Sequence, residues 1–138
     1  MEMALALDDL KDIQKEKTLL VQKTVRSGQC IRFEGNVVVL GDVNPGAEIA
    51  AAGHVAVFGA LRGLVHAGAK GDKEAVIIAL SLEPTQLRIA DHITRPPDGG
   101  NWEASSFPEI AHIQDNMVVI DRYLPVSYTH LDVYKRQL

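Results

Sequence analysis

The sequence is poor in cysteine and in aromatic residues. Its 138 residues include one cysteine, Cys30, and aromatic side chains make up 5% of the chain. A single thiol excludes an intrachain disulfide and a metal site built from several cysteines. Because aromatics are scarce, a core must be assembled from Val, Ile, Leu and Ala, which suits narrow layers of stacked side chains.

The chain also lacks a long apolar run and an excess of basic residues. No apolar stretch approaches the roughly 20 residues that span a membrane, and acidic residues near the N-terminus argue against a signal peptide. The formal net charge is −4, which disfavours a nucleic-acid partner because phosphate binding requires a basic face. We therefore expect no nucleic-acid partner, and contact with a membrane only through another protein.

What the sequence does contain is a short repeat. Residues 35–41 (GNVVVLG) and 53–59 (GHVAVFG) match at both glycines and at two valines, with an offset of 18 residues, and the same offset links Val43 to Leu61. A short period with apolar residues two apart indicates a unit that buries its apolar side only by stacking on a copy of itself. We predict an all-β, single-domain β-solenoid with 18 residues per turn.

The period is expected to break near Gly71. The offset of 18 stacks Glu48 under His66, but charges at 71–74 stand where earlier turns carry valine. They predict an inserted loop of two or three residues, after which residues 75–80 resume as an apolar strand. Such a strand suits burial on both faces, with the core on one side and a subunit interface on the other.

The two ends of the chain lie outside the repeat. Residues 91–100 are predicted to leave the solenoid as a loop, and a hairpin formed by 108–124 is predicted to cap its open end, because an uncovered end is an edge prone to aggregation. Residues 1–17 are predicted to be a linker or short helix, either a charged tether or a partner-binding segment. Residues 126–138 resemble translated adapter sequence, the alternative being a natural tail. The folded domain is thus predicted to span 18–125.

The sequence carries no recognisable enzyme signature. It has no phosphate-binding loop and no nucleophile elbow. His54 and His66 are 12 residues apart, which places them on different faces, and no two histidines share a column of the repeat. We therefore predict no catalytic residue, no metal site and no cofactor.

One corner of the predicted solenoid collects polar and small residues. Steps of 18 place Arg62 over Asn44 and Asn44 over Arg26. Two arginines in one column repel each other unless an acidic group neutralises them, and small neighbours let another backbone approach. Two interpretations remain open here: a docking patch for an acidic partner, or a polar turn without a partner. The candidate patch comprises Arg26, Ser27, Gly28, Gln29, Asn44, Gly46 and Arg62.

Several ordered motifs resemble the C-terminal domain of the septum site-determining protein MinC, a family of bacterial cell-division inhibitors. The motifs are 25–29 (VRSGQ), 41–49 (GDVNPGAEI), 52–63 (AGHVAVFGALRG), 67–72 (AGAKGD) and 87–90 (LRIA). The resemblance implies a triangular, right-handed β-helix that forms a homodimer through one apolar face. In that family the Arg-Ser-Gly-Gln motif, here Arg26 to Gln29, is associated with binding the ATPase MinD, which favours the docking patch.

The resemblance also implies a function that is not enzymatic. A cytoplasmic protein would be recruited to the inner face of the cell membrane by ATP-bound MinD and would help to block FtsZ assembly and septum formation. Family members carry an N-terminal domain that acts on FtsZ polymers; we expect it to be absent here, with 1–17 as its linker. Two other functions stay open: a trimeric hexapeptide-repeat acyltransferase with an interfacial histidine, and a self-polymerising scaffold.

Overall fold

The computed structural model describes residues 16–95 and 107–123, which contain eleven β-strands. In chain order they are β1 (Thr18–Val21), β2 (Cys30–Phe33), β3 (Asn36–Val39), β4 (Glu48–Ala51), β5 (Val55–Leu61), β6 (Leu64–Ala67), β7 (Ile77–Leu82), β8 (Gln86–Ile89), β9 (His92–Thr94), β10 (Glu109–Gln114) and β11 (Met117–Arg122). None of these residues belongs to a helix that could cross a membrane. The predicted N-terminal linker, apart from its last two residues, and the predicted tail lie outside the described residues.

The first eight strands wind as a solenoid with two parallel sheets. Sheet A stacks β1, β3, β5 and β7, and sheet B stacks β2, β4, β6 and β8. The third side has no full strand among the described residues and is joined by single parallel bridges from Val25 to Val43 and from Val43 to Leu61. These three sides confirm the prediction of a triangular, all-β solenoid.

The inward side chains form one apolar core. Val37, Val55 and Ile77 lie directly over one another in sheet A, and each has no exposed surface. Successive side chains of a strand point to opposite faces, so every second residue enters the core. No polar or charged residue of the described part is buried. Aliphatic side chains therefore fill the interior, as the scarcity of aromatics predicts.

The period of 18 holds for the first two turns and then shortens. Ile31 pairs with Ile49 at an offset of 18, but Ile49 pairs with Val65 at an offset of 16. Glu48 therefore pairs with Leu64, and its predicted stack under His66 is wrong. The cause is a corner of two residues, 62–63, where the preceding turn uses four, 44–47.

The insert after β6 is longer than predicted. Val65 pairs with Ile49 and Ile77 pairs with Val55, so 12 residues separate Val65 from Ile77 where 6 separate Ile49 from Val55, and the insert is six residues instead of two or three. The inserted segment contains a tight backbone turn between Gly68 and Gly71. Gly68 and Gly71 adopt φ values of 57° and 109°, and the Gly71 N–H donates to the Gly68 carbonyl at 2.8 Å.

Both sheets end in antiparallel strands at the C-terminal end of the solenoid. The predicted hairpin is present as β10 and β11, and β10 pairs with β7. β9 pairs with β8, so the loop predicted for 91–100 is wrong at 92–94. The chain reverses at Ala90, whose φ is 54°, and the returning residues then lie beside the otherwise open edge of β8.

Candidate partner-docking corner

The candidate patch lies at the corner between the bridged side and sheet B. Residues 26–29 connect the bridge at Val25 to β2, residues 44–47 connect Val43 to β4, and residues 62–63 connect Leu61 to β6. Each connection lies one layer above the previous one. The structure thus brings together all seven residues of the predicted patch, which the sequence distributes over three turns.

The first connection is held in shape by hydrogen bonds within the turn. The Arg26 N–H donates to Gln29 Oε1 at 2.8 Å, and the Gln29 N–H donates to the Arg26 carbonyl at 2.9 Å. Gly28 has a φ of 86°, in the left-handed region that favours glycine. The Gln29 amide therefore fixes the backbone of Arg26, and the Arg26 side chain leaves a preformed turn.

The second connection repeats this geometry one layer higher. Gly46 has a φ of 87° and accepts a 3.0 Å hydrogen bond from the Gly28 N–H through its carbonyl. A Cβ at Gly46 would lie 3.1 Å from the Ser27 Cβ and closer still to its hydroxyl. Glycine is needed here both for the backbone conformation and for the space above Ser27.

The arginines stand in one column with Asn44 between them. The Asn44 N–H donates to the Val25 carbonyl at 2.9 Å, and the Arg62 N–H donates to the Val43 carbonyl at 2.7 Å. Neighbouring strands are about 4.8 Å apart, so Arg26 and Arg62 are separated by about 10 Å along the column. That spacing suits two separate acidic groups, or one extended acidic segment.

The column has a fourth member, Glu83, which the sequence analysis missed. Leu61 pairs with Leu82, and the Glu83 N–H donates to the Leu61 carbonyl at 2.9 Å, so Glu83 stands over Arg62. The distance from Glu83 Oε2 to Arg62 Nε is 3.6 Å. The inserted loop gives an offset of 22, and a register shift between Val57 and Ala60 then changes it to 21, so the match does not show in a period of 18. An alignment of Leu82 with Leu61 was the signal that could have found it.

The two arginines of the column differ in their surroundings. The Arg62 side chain is 49% exposed and faces Glu83, whose side chain is 32% exposed. Arg26 is exposed, and none of the carboxylates within 16–95 and 107–123 lies at salt-bridge distance from it. Among the described residues, the column therefore offers one guanidinium with no carboxylate at salt-bridge distance and one that is loosely paired.

Two histidines of the solenoid, His54 and His66, are hydrogen-bonded to the backbone of later turns. His54 Nδ1 accepts a hydrogen bond from the Val76 N–H at 3.0 Å, and His66 Nε2 lies 2.8 Å from the Ala90 carbonyl oxygen. In the described part of the chain, no group of three or more His, Cys, Asp or Glu side chains is arranged to hold a metal ion. The exposed arginines and turn groups of the corner can take part in recognition by charge and hydrogen bonds.

A β-solenoid with a preformed polar corner defines the general class, and comparison with known proteins defines the family. Residues 19–123 match the family model for the septum formation inhibitor MinC, C-terminal domain. The chain therefore belongs to the MinC family through this domain.

Two curated relatives illustrate the similarity. The probable septum site-determining protein MinC of Acetivibrio thermocellus is 57% identical over 115 residues, which are 83% of this chain and 51% of that protein. The corresponding protein of Heliobacterium modesticaldum is 60% identical over 108 residues, 78% of this chain and 37% of that protein. The chain thus spans about half the length, or less, of these relatives.

A solved structure agrees with the fold. A chain of the MinC:MinD cell division protein complex of Aquifex aeolicus superposes with a TM-score of 0.74 at 33% sequence identity. The match covers 88% of this chain and 98% of that chain.

Proposed function

We propose that this chain is the recruitment module of a cell-division inhibitor and that it binds MinD in its ATP-bound form. The observation that carries the proposal is the exposed turn Arg26 to Gln29, whose backbone is held by its own hydrogen bonds. The family membership and the solved relative, which is a complex of MinC with MinD, support MinD as the partner.

The mechanism is docking without chemistry. Arg26 presents a guanidinium that no described carboxylate neutralises, and an acidic group of the partner supplies the missing charge. The turn is already ordered, so binding costs little backbone entropy. Ser27, Asn44 and Gly46 shape the surface around Arg26, which makes Arg26 the expected hot spot.

Dimerisation is the second part of the proposal. The outward side of sheet A carries one large apolar residue per layer: Leu20 is 52% exposed, Leu40 42%, Phe58 54% and Leu80 48%. An exposed apolar patch of this kind marks an interaction surface, and apolar residues present in every layer can meet their own copy across a two-fold axis. A homodimer presents two docking corners, which raises its avidity for a MinD-covered membrane.

The biological consequence follows from recruitment. The protein acts on the cytoplasmic side, reaches the membrane only through MinD, and helps to prevent FtsZ ring and septum assembly where MinD is present. It needs no cofactor and performs no catalysis. No observation favours the acyltransferase or the self-polymerising scaffold over this function. His54 and His66 are hydrogen-bonded to the Val76 N–H and the Ala90 carbonyl of the same chain.

The test is co-sedimentation with vesicles that carry MinD of Aquifex aeolicus, in ATP and in ADP. We expect capture in ATP only, and a loss of at least about tenfold in affinity for Arg26→Ala, because hot-spot truncations cost upward of about 1–2 kcal/mol. Arg32→Ala is the matched control: it removes another exposed arginine, but from the outer face of sheet B. Equal capture of wild type and a folded Arg26→Ala variant would refute the docking site.

A further inference from the structure

The arginine column ends in an acid of the same chain. From the first layer upward it consists of Arg26, Asn44, Arg62 and Glu83, a positive, a neutral, a positive and a negative residue. Building on the proposed function, we infer that Glu83 is an internal competitor for Arg62: it occupies this guanidinium in the free protein and yields it to a carboxylate of the partner.

Glu83 is well placed for this role because its backbone is fixed on both sides. The Glu83 N–H donates to the Leu61 carbonyl at 2.9 Å, and the Thr85 N–H donates to the Gly63 carbonyl at 3.0 Å. The Thr85 hydroxyl also donates to the Arg62 carbonyl at 2.8 Å, which ties this segment to the residue that Glu83 faces. The acid and the base are therefore held one layer apart whether or not a partner is bound.

The ion pair itself is loose, as an exchangeable contact requires. The distance of 3.6 Å from Glu83 Oε2 to Arg62 Nε exceeds that of a good charge-assisted hydrogen bond. The Arg62 side chain remains 49% exposed, so water and an incoming carboxylate can reach it. Glu83 thus lowers the electrostatic attraction between the corner and an acidic partner but does not block access to the Arg62 guanidinium.

The consequence is a division of labour within the column. Arg26 makes first contact because no described carboxylate competes for it, whereas Arg62 contributes its full charge once Glu83 has been displaced. Glu83 is a specificity-determining residue: a partner without a suitably placed carboxylate does not exchange with it. Its removal should strengthen binding, the opposite of what truncation of a contact residue does.

The experiment is a double-mutant cycle in the MinD–ATP vesicle titration, with wild type, Glu83→Gln, Arg62→Ala and the double variant. We expect Glu83→Gln to tighten binding about two- to fivefold at low salt, the range that an exposed ion pair can supply. The gain should shrink at high salt and vanish in the Arg62→Ala background. The matched control is Glu34→Gln, which breaks the exposed pair of Glu34 with Lys70, 2.8 Å apart, away from the corner. It should leave binding unchanged.

Each outcome decides one of the two proposals. Weaker binding of Glu83→Gln would show that Glu83 contacts a basic group of the partner, and an equal gain with and without Arg62 would show a general charge effect; either overturns the competitor role. Unchanged binding of Glu83→Gln, with loss in Arg26→Ala, overturns the competitor role alone. If the wild type is not captured, the proposed function itself fails. A partner-free readout is the NMR signal of Arg62 Nε–H, which should shift in Glu83→Gln.

Discussion

The outer faces of the two sheets come from the same repeat and differ in character. Sheet A shows aliphatic and aromatic residues in every layer, among them Leu20, Leu40, Phe58 and Leu80. Sheet B shows mostly charged, polar and small residues, among them Arg32, Glu48, Ala50, His66 and Arg88, and its apolar exceptions are Leu64 on β6 and Ile93 on β9. The inward residues of both sheets, by contrast, are uniformly apolar.

The difference shows which positions the fold constrains. Inward side chains must pack against the layers above and below, so they are restricted to aliphatic residues. Outward side chains have no such neighbour and are free to specialise. Beside sheet B, Lys70 Nζ in the segment after β6 donates to Glu34 Oε1, next to the end of β2, at 2.8 Å across two layers. The apolar residues of sheet A are left exposed in the single chain, and a second copy is our proposed cover.

The largest expected effect on stability compares an inward residue of β5 with an outward residue of β7. Leu61→Ala removes a side chain with no exposed surface and should lower the free energy of unfolding by about 2–5 kcal/mol. Leu80→Ala removes one that is 48% exposed and should cost the isolated chain less than about 1 kcal/mol. Urea denaturation at a protein concentration that disfavours dimers measures both. Similar losses would contradict the distinction between core and interface.

The next effect tests the two outer faces against each other. Phe58→Glu places a charge in the middle of the apolar stack and should raise the dimer dissociation constant by about 100-fold or more, because the symmetric interface contains it twice. Arg32→Glu, a charge change on sheet B, should leave the dimer intact. Sedimentation equilibrium compares them. A Phe58→Glu variant that still dimerises like the wild type would place the interface elsewhere.

The smallest expected effect is the pH dependence of stability that two shifted carboxyl groups cause. A hydrogen bond from Lys70 lowers the pKa of Glu34, next to the end of β2, whereas burial raises the pKa of Glu109 on β10, an effect that Arg122 partly offsets. The lowered pKa stabilises the fold above the unfolded-state value, and this is lost as pH falls through the folded-state value. The raised pKa has the opposite sign: it destabilises the fold at neutral pH, and the cost is relieved in acid.

Urea denaturation between about pH 7 and about pH 3 checks both signs. Glu34→Gln should be slightly less stable than wild type at neutral pH and equal to it in acid. Glu109→Gln should be slightly more stable at neutral pH, with the gain disappearing in acid. Differences that do not change with pH would mean that ionisation of these carboxyls is not their cause.

Much of the docking corner was accessible from the sequence. The offset of 18 correctly places Arg26, Asn44 and Arg62 in one column, because the first two turns have equal length. The glycines at 28 and 46 also indicate the turns, since both adopt a positive φ that other residues avoid. The role of the seven patch residues in binding stays a prediction.

The rest of the register was not accessible, because corner length depends on contacts between turns. The two-residue corner is feasible since Gly63 lies against the carbonyl oxygens of Asn44 and Ala47, where a Cβ would come within 2.7 and 2.5 Å. This corner moves His66 away from Glu48, and the insert that follows brings Glu83 over Arg62.

The sequence by itself determined which residues face inward, which turns hold the glycines, and which family the motifs resemble. These properties depend on alternation and turn conformation, which are local. Only the tertiary structure decided the offsets of 16 and 22, the strand β9, and the pairing of Arg62 with Glu83. These depend on how each turn closes over the one below, and that closure is set by packing between residues far apart in the chain.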